Sequence, residues 1–397
     1  MSTPSIAFWR HSENNPIVTI TSRLPDIGTS IFSVMSKMAM EHGAINLSQG
    51  FPDFPVDRAL IDLIHQKMAE GHNQYAPMPG VLPLRQIIAQ TVHRSYQRVV
   101  DPETDITITA GGTEALFSAL AALVHPGDEV IVFDPAYDSY DPAIRLNGGV
   151  PVHINLYAPD FRINWDEVRS RITSRTVMIV VNTPHNPSGA VMSLEDWREL
   201  EALVLRHNLL VISDEVYERL IFDGLTHYSV LGFPALADRS VAVYSFGKTF
   251  HATGWKVGYA VASPVITTEI RKAHQFITFA VNTPVQLALA EYMANPEHLL
   301  HLGRFYQQKR DFFLAQLAGT SFRPLPSSGS YFQLMTYPVR YDKTDVEMAT
   351  WMTREKKLAA IPVSVFYRDG TDQHLLRFCF AKREETLTKA GEILRRM

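Results

Sequence analysis

The chain has 397 residues, of which 46% are hydrophobic and 20% are charged, and its formal net charge at pH 7 is -4. This length favours two packed domains, and the composition is typical of a soluble globular protein, which excludes a disordered or fibrous one. The small net charge gives no electrostatic reason to expect nucleic acid as a partner.

Cysteine content and the N-terminal residues indicate a compartment. The one cysteine, Cys379, cannot form an intramolecular disulfide, which suits a reducing environment. Residues 1–22 mix charged side chains with prolines and lack the basic start and apolar run of a secretory signal. Because no segment holds the roughly 18 uncharged apolar residues that a membrane helix needs, we expect a cytoplasmic protein without a membrane partner.

From about residue 105, short apolar runs alternate with helical patterns. The runs are residues 106–109, 129–133, 177–181, 209–213, 241–244 and 257–262, with a helix predicted over 115–124. Such runs are typical of strands buried on both faces, so they predict an α/β fold with a mostly parallel sheet covered by helices. The chemically unusual residues follow these runs, where open α/β sheets place their ligand crevices.

After about residue 286 the pattern changes. It predicts helices over 286–293, 305–317 and 345–356, and strands over 330–334 and 375–380. This order indicates a second, smaller α+β domain. We therefore divide the chain into an N-terminal segment, 1–49, that contributes to the small domain, a large domain, 50–286, and the small domain, 287–397.

The first chemical motif is a lysine after the run 241–244, in Ser245-Phe246-Gly247-Lys248-Thr249. A lysine at the end of an apolar strand is poorly solvated as a cation, which lowers its pKa and frees its amine. Such an amine forms a Schiff base with a carbonyl cofactor. Taken alone, the motif is more often an ordinary surface lysine.

The second motif is a carboxylate after the run 209–213, in Asp214-Glu215-Val216-Tyr217. A buried carboxylate must be paired, and the pyridinium nitrogen of pyridoxal phosphate is a suitable cation. Tyr217 follows at a spacing that lets it donate a hydrogen bond to the ring oxygen of that cofactor. The alternative for Asp214 alone is a helix N-cap.

The third motif is a loop over residues 182–189, which contains two prolines on either side of Asn186 and ends at Gly189. Prolines exclude a continuing helix or central strand, so the loop is irregular. Asn186 then presents its amide to the same ring oxygen. An ordinary Asn-Pro turn is the alternative.

The fourth motif is Gly111-Gly112-Thr113-Glu114 before the predicted helix, where free backbone N–H groups and a hydroxyl form an anion site. Ser245 and Lys256 add a hydroxyl and a positive charge. The glycines do not form G-x-G-x-x-G, which disfavours a dinucleotide. Plain helix capping is the alternative for this motif alone. The four motifs together, each after a predicted strand, indicate a pyridoxal phosphate site.

These segments resemble the class I aminotransferases of fold type I, which depend on pyridoxal phosphate, and within them the methionine and kynurenine (glutamine transaminase K-like) branch. The resemblance extends from about residue 24 to the C-terminus. Its matching segments are residues 46–54, 73–75, 182–187, 214–217, 245–258 and 377–380. The segment 245–258 is the most specific of them.

The resemblance implies a role for each matching residue. Lys248 would hold the cofactor and move the substrate proton, with Asp214 and Tyr217 as the other catalytic residues. The cofactor-binding residues would be Tyr75, Gly112, Thr113, Tyr137, Asn186, Asp214, Tyr217, Ser245, Lys248 and Lys256, of which Gly112, Thr113, Ser245 and Lys256 hold the phosphate and Tyr137 stacks on the ring. Tyr75 would reach the cofactor phosphate of the neighbouring subunit, so the active unit would be a homodimer. No metal ion is expected.

For the substrate, the resemblance places Arg377 against the α-carboxylate, a bidentate contact that suits a guanidinium group. The substrate-binding residues would be Ile27, Gly50, Asn186, Phe279 and Arg377. No motif supplies a second arginine for an acidic side chain, and an apolar pocket separates similar groups by only roughly 1–3 kcal/mol per methylene. We therefore expect broad specificity for apolar and aromatic amino acids, methionine first, with a 2-oxo acid as acceptor.

Other functions stay open at this level. Kynurenine-active members of the branch often carry a histidine where this chain has Ala280, which favours methionine over kynurenine. The same cofactor also supports β-elimination from cysteine S-conjugates. A regulatory amino-acid sensor is disfavoured, because the residues ahead of the resemblance are too few for a DNA-binding domain.

Overall fold

A computed structural model describes residues 20–397 of the chain. The α-helices, numbered in chain order, are α1 (Ile31–Glu41), α2 (Arg58–Ala69), α3 (Leu82–Tyr96), α4 (Gly111–Leu123), α5 (Tyr140–Leu146), α6 (Trp165–Arg171), α7 (Leu194–His207), α8 (Pro234–Ala237), α9 (Phe246–Thr249), α10 (Pro264–Ile277), α11 (Thr283–Met293), α12 (Glu297–Leu300), α13 (Leu302–Gln316), α14 (Asp345–Trp351) and α15 (Glu384–Arg395). Short 3-10 helices lie at Val230–Gly232, Thr253–Trp255, Val339–Tyr341 and Ser364–Phe366, and a π-helical turn, Met352–Lys356, follows α14.

None of the helices within 20–397 combines the length and the apolar character that crossing a membrane requires.

The strands are β1 (Ile45–Asn46), β2 (Ile106–Thr109), β3 (Glu129–Asp134), β4 (Val150–Asn155), β5 (Thr176–Asn182), β6 (Leu210–Asp214), β7 (Ser240–Ser245), β8 (Gly258–Ala262), β9 (Arg323–Pro324), β10 (Phe332–Thr336), β11 (Leu358–Ala359), β12 (Ile361–Pro362) and β13 (Leu375–Cys379). Among the described residues, seven of them form the central sheet in the order β2-β8-β7-β6-β5-β3-β4. β8 runs antiparallel to both of its neighbours, and the remaining pairs are parallel.

The central sheet is buried on both faces, as its continuous apolar runs predict. Along β3, Val130 and Val132 enter a cluster on one face, which includes residues of α4 and α10. Ile131 and Phe133 enter a second cluster on the opposite face, which includes residues of α3, α7 and α11. Successive side chains of a strand point to opposite faces, so each strand contributes to both clusters.

A third hydrophobic cluster holds the smaller part of the fold. Around it lie the four-stranded sheet β12-β13-β10-β9 and the parallel pair of β1 and β11. Met35 of α1 and Leu47 after β1 belong to the same cluster, together with residues of α13, α14 and α15. The N-terminal residues 31–49 thus pack with the C-terminal part of the chain.

The three-part division into 1–49, 50–286 and 287–397 stays a prediction. Its second boundary falls inside α11, and Val285 and Leu289 of that helix lie in the cluster of the central sheet. Residues 1–19 of the predicted N-terminal segment lie outside the described residues.

Candidate active site

A cavity of about 250 Å³ opens at the carboxyl ends of β5, β6 and β7, beside the first turn of α4. It brings together eleven of the residues that the sequence singles out: Gly50, Gly112, Thr113, Tyr137, Asn186, Asp214, Tyr217, Ser245, Lys248, Lys256 and Arg377. These residues come together because parallel strands end at the same edge of the sheet.

Lys248 lies in α9, a single helical turn that follows β7 directly. Burial lowers the pKa of its amine to about 8. Its Nζ donates a hydrogen bond to the Tyr331 hydroxyl oxygen at 3.0 Å. The turn depends on Gly247, since a Cβ there would lie 3.0 Å from the Thr253 Cα. Lys248 is therefore a partly buried amine that lines the cavity and is held by Tyr331, and not a surface lysine.

Asp214 is the last residue of β6 and is buried. Burial raises the pKa of its carboxyl to about 6, although the hydrogen bond from Tyr140 acts in the opposite direction. The Tyr140 hydroxyl donates to Oδ2 at 2.5 Å, and the Val216 amide donates to Oδ1 at 3.3 Å. A turn and not a helix follows Asp214, so the N-cap alternative is wrong.

The loop after β5 is tied to this carboxylate by Asn182, which the sequence reading missed. Its Nδ2 donates to the Asp214 carbonyl oxygen at 2.9 Å, and its Oδ1 accepts from the Asn186 amide at 2.7 Å. The Asn186 side chain then accepts a hydrogen bond on Oδ1 from Arg377, at 2.8 Å. Because Oδ1 is taken by Arg377, the Nδ2 of Asn186 is the atom left to donate to a ligand.

Arg377 enters the cavity from β13 of the smaller sheet and is 1% exposed. Its Nη2 donates to the Ser48 carbonyl oxygen at 2.9 Å, while its buried Nε has no hydrogen-bond partner. The guanidinium carbon lies 3.9 Å from the centre of the Phe332 ring. Burial lowers the pKa of this group to about 10. A buried cation with an unpaired N–H is suited to an anionic ligand.

The anion site of the sequence lies in the first turn of α4 and not ahead of it, since the helix begins at Gly111. The residue before it, Ala110, has no side chain that caps the helix, but the Glu114 carboxylate accepts a hydrogen bond from the Ala110 amide at 3.0 Å, so part of the motif does cap the helix. A Cβ on Gly111, whose φ is +80°, would lie 3.3 Å from the Lys256 Nζ. Thr113 Oγ1 lies 3.4 Å from the Tyr137 hydroxyl oxygen. Free N–H groups, a hydroxyl and an ammonium group therefore converge at this end.

Three predicted site residues do not line the cavity. Tyr75 is 84% exposed, Phe279 is 48% exposed and Ile27 is 44% exposed. The rings of Tyr75 and Phe279 meet edge to face, with centres 5.4 Å apart. Their roles stay predictions, and the one for Tyr75 requires a second subunit.

The structure also shows neighbours of the site that the sequence reading missed. They are Phe32, Gln49, Asn182 and Phe332, which line the cavity, and Tyr140 and Tyr331, which bond to Asp214 and Lys248. Tyr140 follows Tyr137 by three residues, and this spacing was the one local signal that could have indicated it.

The family is decided by comparison with known proteins. Residues 42–394 match the family model described as aminotransferase class I and II. The chain belongs to this family. The aminotransferase is 51% identical to the methionine aminotransferase of Escherichia coli (strain K12), over 97% of this chain and 100% of that protein. It is 34% identical to kynurenine–oxoglutarate transaminase 3 of Rattus norvegicus, over 94% of this chain and 89% of that protein.

Solved aminotransferases share the fold. An Escherichia coli structure for which a methionine aminotransferase function was identified has a TM-score of 0.94 at 50% identity, and covers 96% of this chain and 100% of its own. N-succinyldiaminopimelate aminotransferase from Mycobacterium tuberculosis has a TM-score of 0.90 at 34% identity, with coverages of 95% and 99%. The predicted family, the α/β fold type I architecture and the transaminase class are thus confirmed. The family is one of pyridoxal-phosphate-dependent enzymes.

Proposed function

We propose that this aminotransferase binds pyridoxal phosphate in the cavity around Lys248 and takes the amino group of L-methionine, or of another apolar or aromatic L-amino acid. A 2-oxo acid then accepts that group in a second half-reaction at the same site. The observation that carries the proposal is that Lys248, Asp214 and Arg377 meet in one cavity. They supply an amine, a buried carboxylate and a carboxylate-binding cation.

The residues present fit the cofactor. Asp214 is a buried carboxylate whose hydrogen-bond donors are a hydroxyl and an amide, so a cationic ring nitrogen would complete its pairing. The first turn of α4 offers N–H groups beside Lys256, which suits a phosphate. When bound, pyridoxal phosphate supplies a ring that takes up the electron pair left at the substrate Cα and stores the amino group between half-reactions.

The positions of the lining residues in the cavity indicate which part of the cofactor each of them would bind. Asp214 would pair with the ring nitrogen, and Tyr217 with the Nδ2 of Asn186 would donate to the ring oxygen. Tyr137 would pack against the ring. The residues that would hold the phosphate are Gly112, Thr113, Ser245 and Lys256.

Lys248 performs the proton transfer. Burial lowers its pKa to about 8, so a usable fraction of the amine is unprotonated near neutral pH. The Nζ accepts the proton from the substrate Cα, and as an ammonium group it can return a proton to the reacting system. The same residue would be the point at which the cofactor is held.

Arg377 orients the substrate. Its guanidinium is fixed by Asn186 and Ser48 and by the face of Phe332, and its remaining N–H groups, with the buried Nε among them, can bind the α-carboxylate. A fork held in this way selects an anion of planar, bidentate shape. Proper orientation of the carboxylate also sets which face of Cα is presented to Lys248.

The proposed preference for an apolar substrate side chain rests on the apolar residues that line the cavity and on the substrates for which two relatives are named. Phe32 and Phe332 line the cavity on the side of Arg377. The relative that is 51% identical is named for methionine, which supports methionine as the first substrate. The relative named for kynurenine, at 34% identity, supports kynurenine as the second candidate.

The assembled enzyme is proposed to be a homodimer. Tyr75, Phe276, Ile277 and Phe279 form an exposed set, here called the aromatic patch, with exposures of 84%, 86%, 45% and 48%. A second copy that covers this patch would bury it and bring Tyr75 to the neighbouring cavity. The single cysteine supports a reducing, cytoplasmic location.

The test is the absorbance of the purified protein supplied with pyridoxal phosphate. L-methionine added without an oxo acid should remove the visible band, and a 2-oxo acid should restore it. Lys248→Ala should lack the band as prepared, while Lys272→Ala, which removes an exposed lysine paired with Glu269, should keep it. A protein that stays colourless with added cofactor would overturn the proposal. Pyruvate released from a cysteine S-conjugate without an acceptor would instead indicate a lyase.

A further inference from the structure

Tyr331 immediately precedes β10, and its side chain reaches Lys248 from behind the cavity wall. It is 0% exposed. Its hydroxyl oxygen lies 3.0 Å from the Lys248 Nζ and 2.6 Å from the Gly50 carbonyl oxygen, and the Tyr217 hydroxyl also faces it. Gly50 itself lines the cavity, so one phenol links two residues of the cavity lining, Lys248 and Gly50.

The two contacts determine which atom donates. A phenol has one proton, and a carbonyl oxygen accepts but never donates. The proton of Tyr331 is therefore committed to Gly50, and the phenol oxygen accepts from Lys248. One N–H of the lysine amine is thus fixed toward Tyr331, which confines the remaining positions on Nζ to the other directions of a tetrahedral nitrogen.

The ring that carries this oxygen is held by its neighbours. Its centre lies 4.8 Å from that of Phe332, 5.1 Å from that of Tyr217 and 5.9 Å from that of Tyr306. The first two rings stand nearly perpendicular to it, at 74° and 80°. Packing on several sides fixes the oxygen in place, as a positioning role requires.

We propose that Tyr331 is a positioning residue that holds the free amine of Lys248, through a hydrogen bond from Nζ to its hydroxyl oxygen, so that the amine faces the substrate Cα. The inference rests on the proposed function and deepens it. The bond is available whenever Lys248 carries a free amine, which is the state in which it accepts a proton. Tyr331 touches neither cofactor nor substrate in this role.

The test compares Tyr331→Phe with Tyr306→Phe. Both remove one buried hydroxyl from the same aromatic cluster, but the Tyr306 hydroxyl meets His251 Nδ1, at 2.8 Å, and not Lys248. The first readout is the pH dependence of Lys248 acylation in the apoprotein, followed by mass spectrometry of the peptide that contains it. Loss of an acceptor disfavours the ammonium form, so the midpoint in Tyr331→Phe should fall by about one pH unit.

The groups that face Lys248 are otherwise the same in both variants and in the wild type. They are Asp214, Tyr217, Lys256, Arg377 and Cys379. Tyr306→Phe should therefore keep the wild-type midpoint. An unchanged midpoint in Tyr331→Phe, or an equal shift in both variants, would overturn the proposal. If Tyr331→Phe fails to fold, a fluorinated tyrosine at the same position weakens the acceptor and should lower the midpoint by a smaller amount.

The second readout is the half-reaction of the holoenzyme with L-methionine and with its α-deuterated form. Tyr331→Phe should lower the rate constant about tenfold, enlarge the deuterium effect and leave substrate affinity within about twofold. Lost substrate affinity with an unchanged deuterium effect would overturn the positioning role. A wild type that reacts with no amino acid, but whose acylation midpoint still shifts on Tyr331→Phe, would refute the proposed function and leave the hydrogen bond itself supported.

Discussion

At the scale of single residues, the charge of Asp214 depends on its burial and on one neighbour, Tyr140. Burial raises its pKa to about 6, and Tyr140 limits that rise by donating a 2.5 Å hydrogen bond. Burial also raises the pKa of the Tyr140 hydroxyl well above its ordinary value, so this group stays a donor. Tyr140 therefore favours the ionised carboxylate that a cationic ring nitrogen requires.

Tyr140→Phe should weaken pyridoxal phosphate binding about tenfold, and by more at mildly acidic pH than at alkaline pH. Without the hydroxyl the Asp214 pKa rises further, so more of the empty site is protonated as the pH falls toward that value. Titration of the apoprotein, followed by absorbance at two pH values, measures the change. Tyr244→Phe is the control, since it removes a buried hydroxyl that faces Glu215. Wild-type affinity in Tyr140→Phe at both pH values would contradict this role.

The sequence predicts site residues that directly follow a strand, but it does not predict the distant residues that contact them. Lys248 and Asp214 were predicted because each directly follows an apolar run that reads as a buried strand. Tyr140 and Tyr331 act on them across 74 and 83 positions of the chain. No local pattern encodes which distant aromatic residue packs against a strand end, so such partners become visible only in the fold.

At the scale of elements, α5 carries Tyr140 into the site, and His153 of the edge strand β4 anchors it. The His153 ring lies between two carboxylates, with Nδ1 2.9 Å from Asp134 and Nε2 3.1 Å from Asp141 of α5. Burial lowers the pKa of this imidazole, but the two carboxylates outweigh burial and raise the pKa to about 9. The charged ring therefore joins α5 to β3 and β4.

This anchor makes stability depend on pH. A pKa raised from about 6.5 in the unfolded chain stabilises the fold fully below that pH, and the contribution is lost as the pH rises through about 9. We expect His153→Gln to remove about 2–3 kcal/mol of unfolding free energy at about pH 6 and little at about pH 9.5. Urea unfolding of wild type and variant at both pH values gives the comparison. A difference of equal size at both would contradict the charged anchor.

β4 also shows where element prediction from sequence fails. The six predicted central strands match their observed ends to within one residue. β4 was missed because Pro151 and His153 interrupt its apolar character, which an edge strand tolerates. The predicted helix over 345–356 ends at Trp351 and continues as a π-helical turn, since the helical period alone does not separate the two.

At the scale of the whole molecule, the active site joins two separately packed parts. The central sheet carries Lys248 and Asp214, whereas β13 of the smaller sheet carries Arg377. Ser48, in the N-terminal stretch that packs with the smaller sheet, fixes the other side of that guanidinium. Periodicity predicted both parts, but only the resemblance indicated that Arg377 would meet them, because the contact depends on how the parts dock.

The aromatic patch is exposed in the single chain. Burying the two phenylalanines Phe276 and Phe279 in a dimer contributes about 2–4 kcal/mol of association free energy per pair of side chains. Phe276→Ser combined with Phe279→Ser should therefore raise the dimer dissociation constant at least about 30-fold. Analytical ultracentrifugation at matched concentrations measures it. Val339→Ser is the control, because Val339 is also 85% exposed but lies beside the smaller sheet.

A variant of Tyr75, which belongs to the same patch, tests the dimer contact and the cofactor contact separately. Tyr75→Phe keeps the ring that packs on Phe279 and removes only the hydroxyl proposed to reach the neighbouring phosphate. We expect this variant to remain dimeric while its affinity for pyridoxal phosphate falls about fivefold to tenfold. A wild type that sediments as a monomer with full cofactor affinity would refute the shared site. Full affinity in a dimeric Tyr75→Phe would keep the dimer and remove Tyr75 from the cofactor's phosphate.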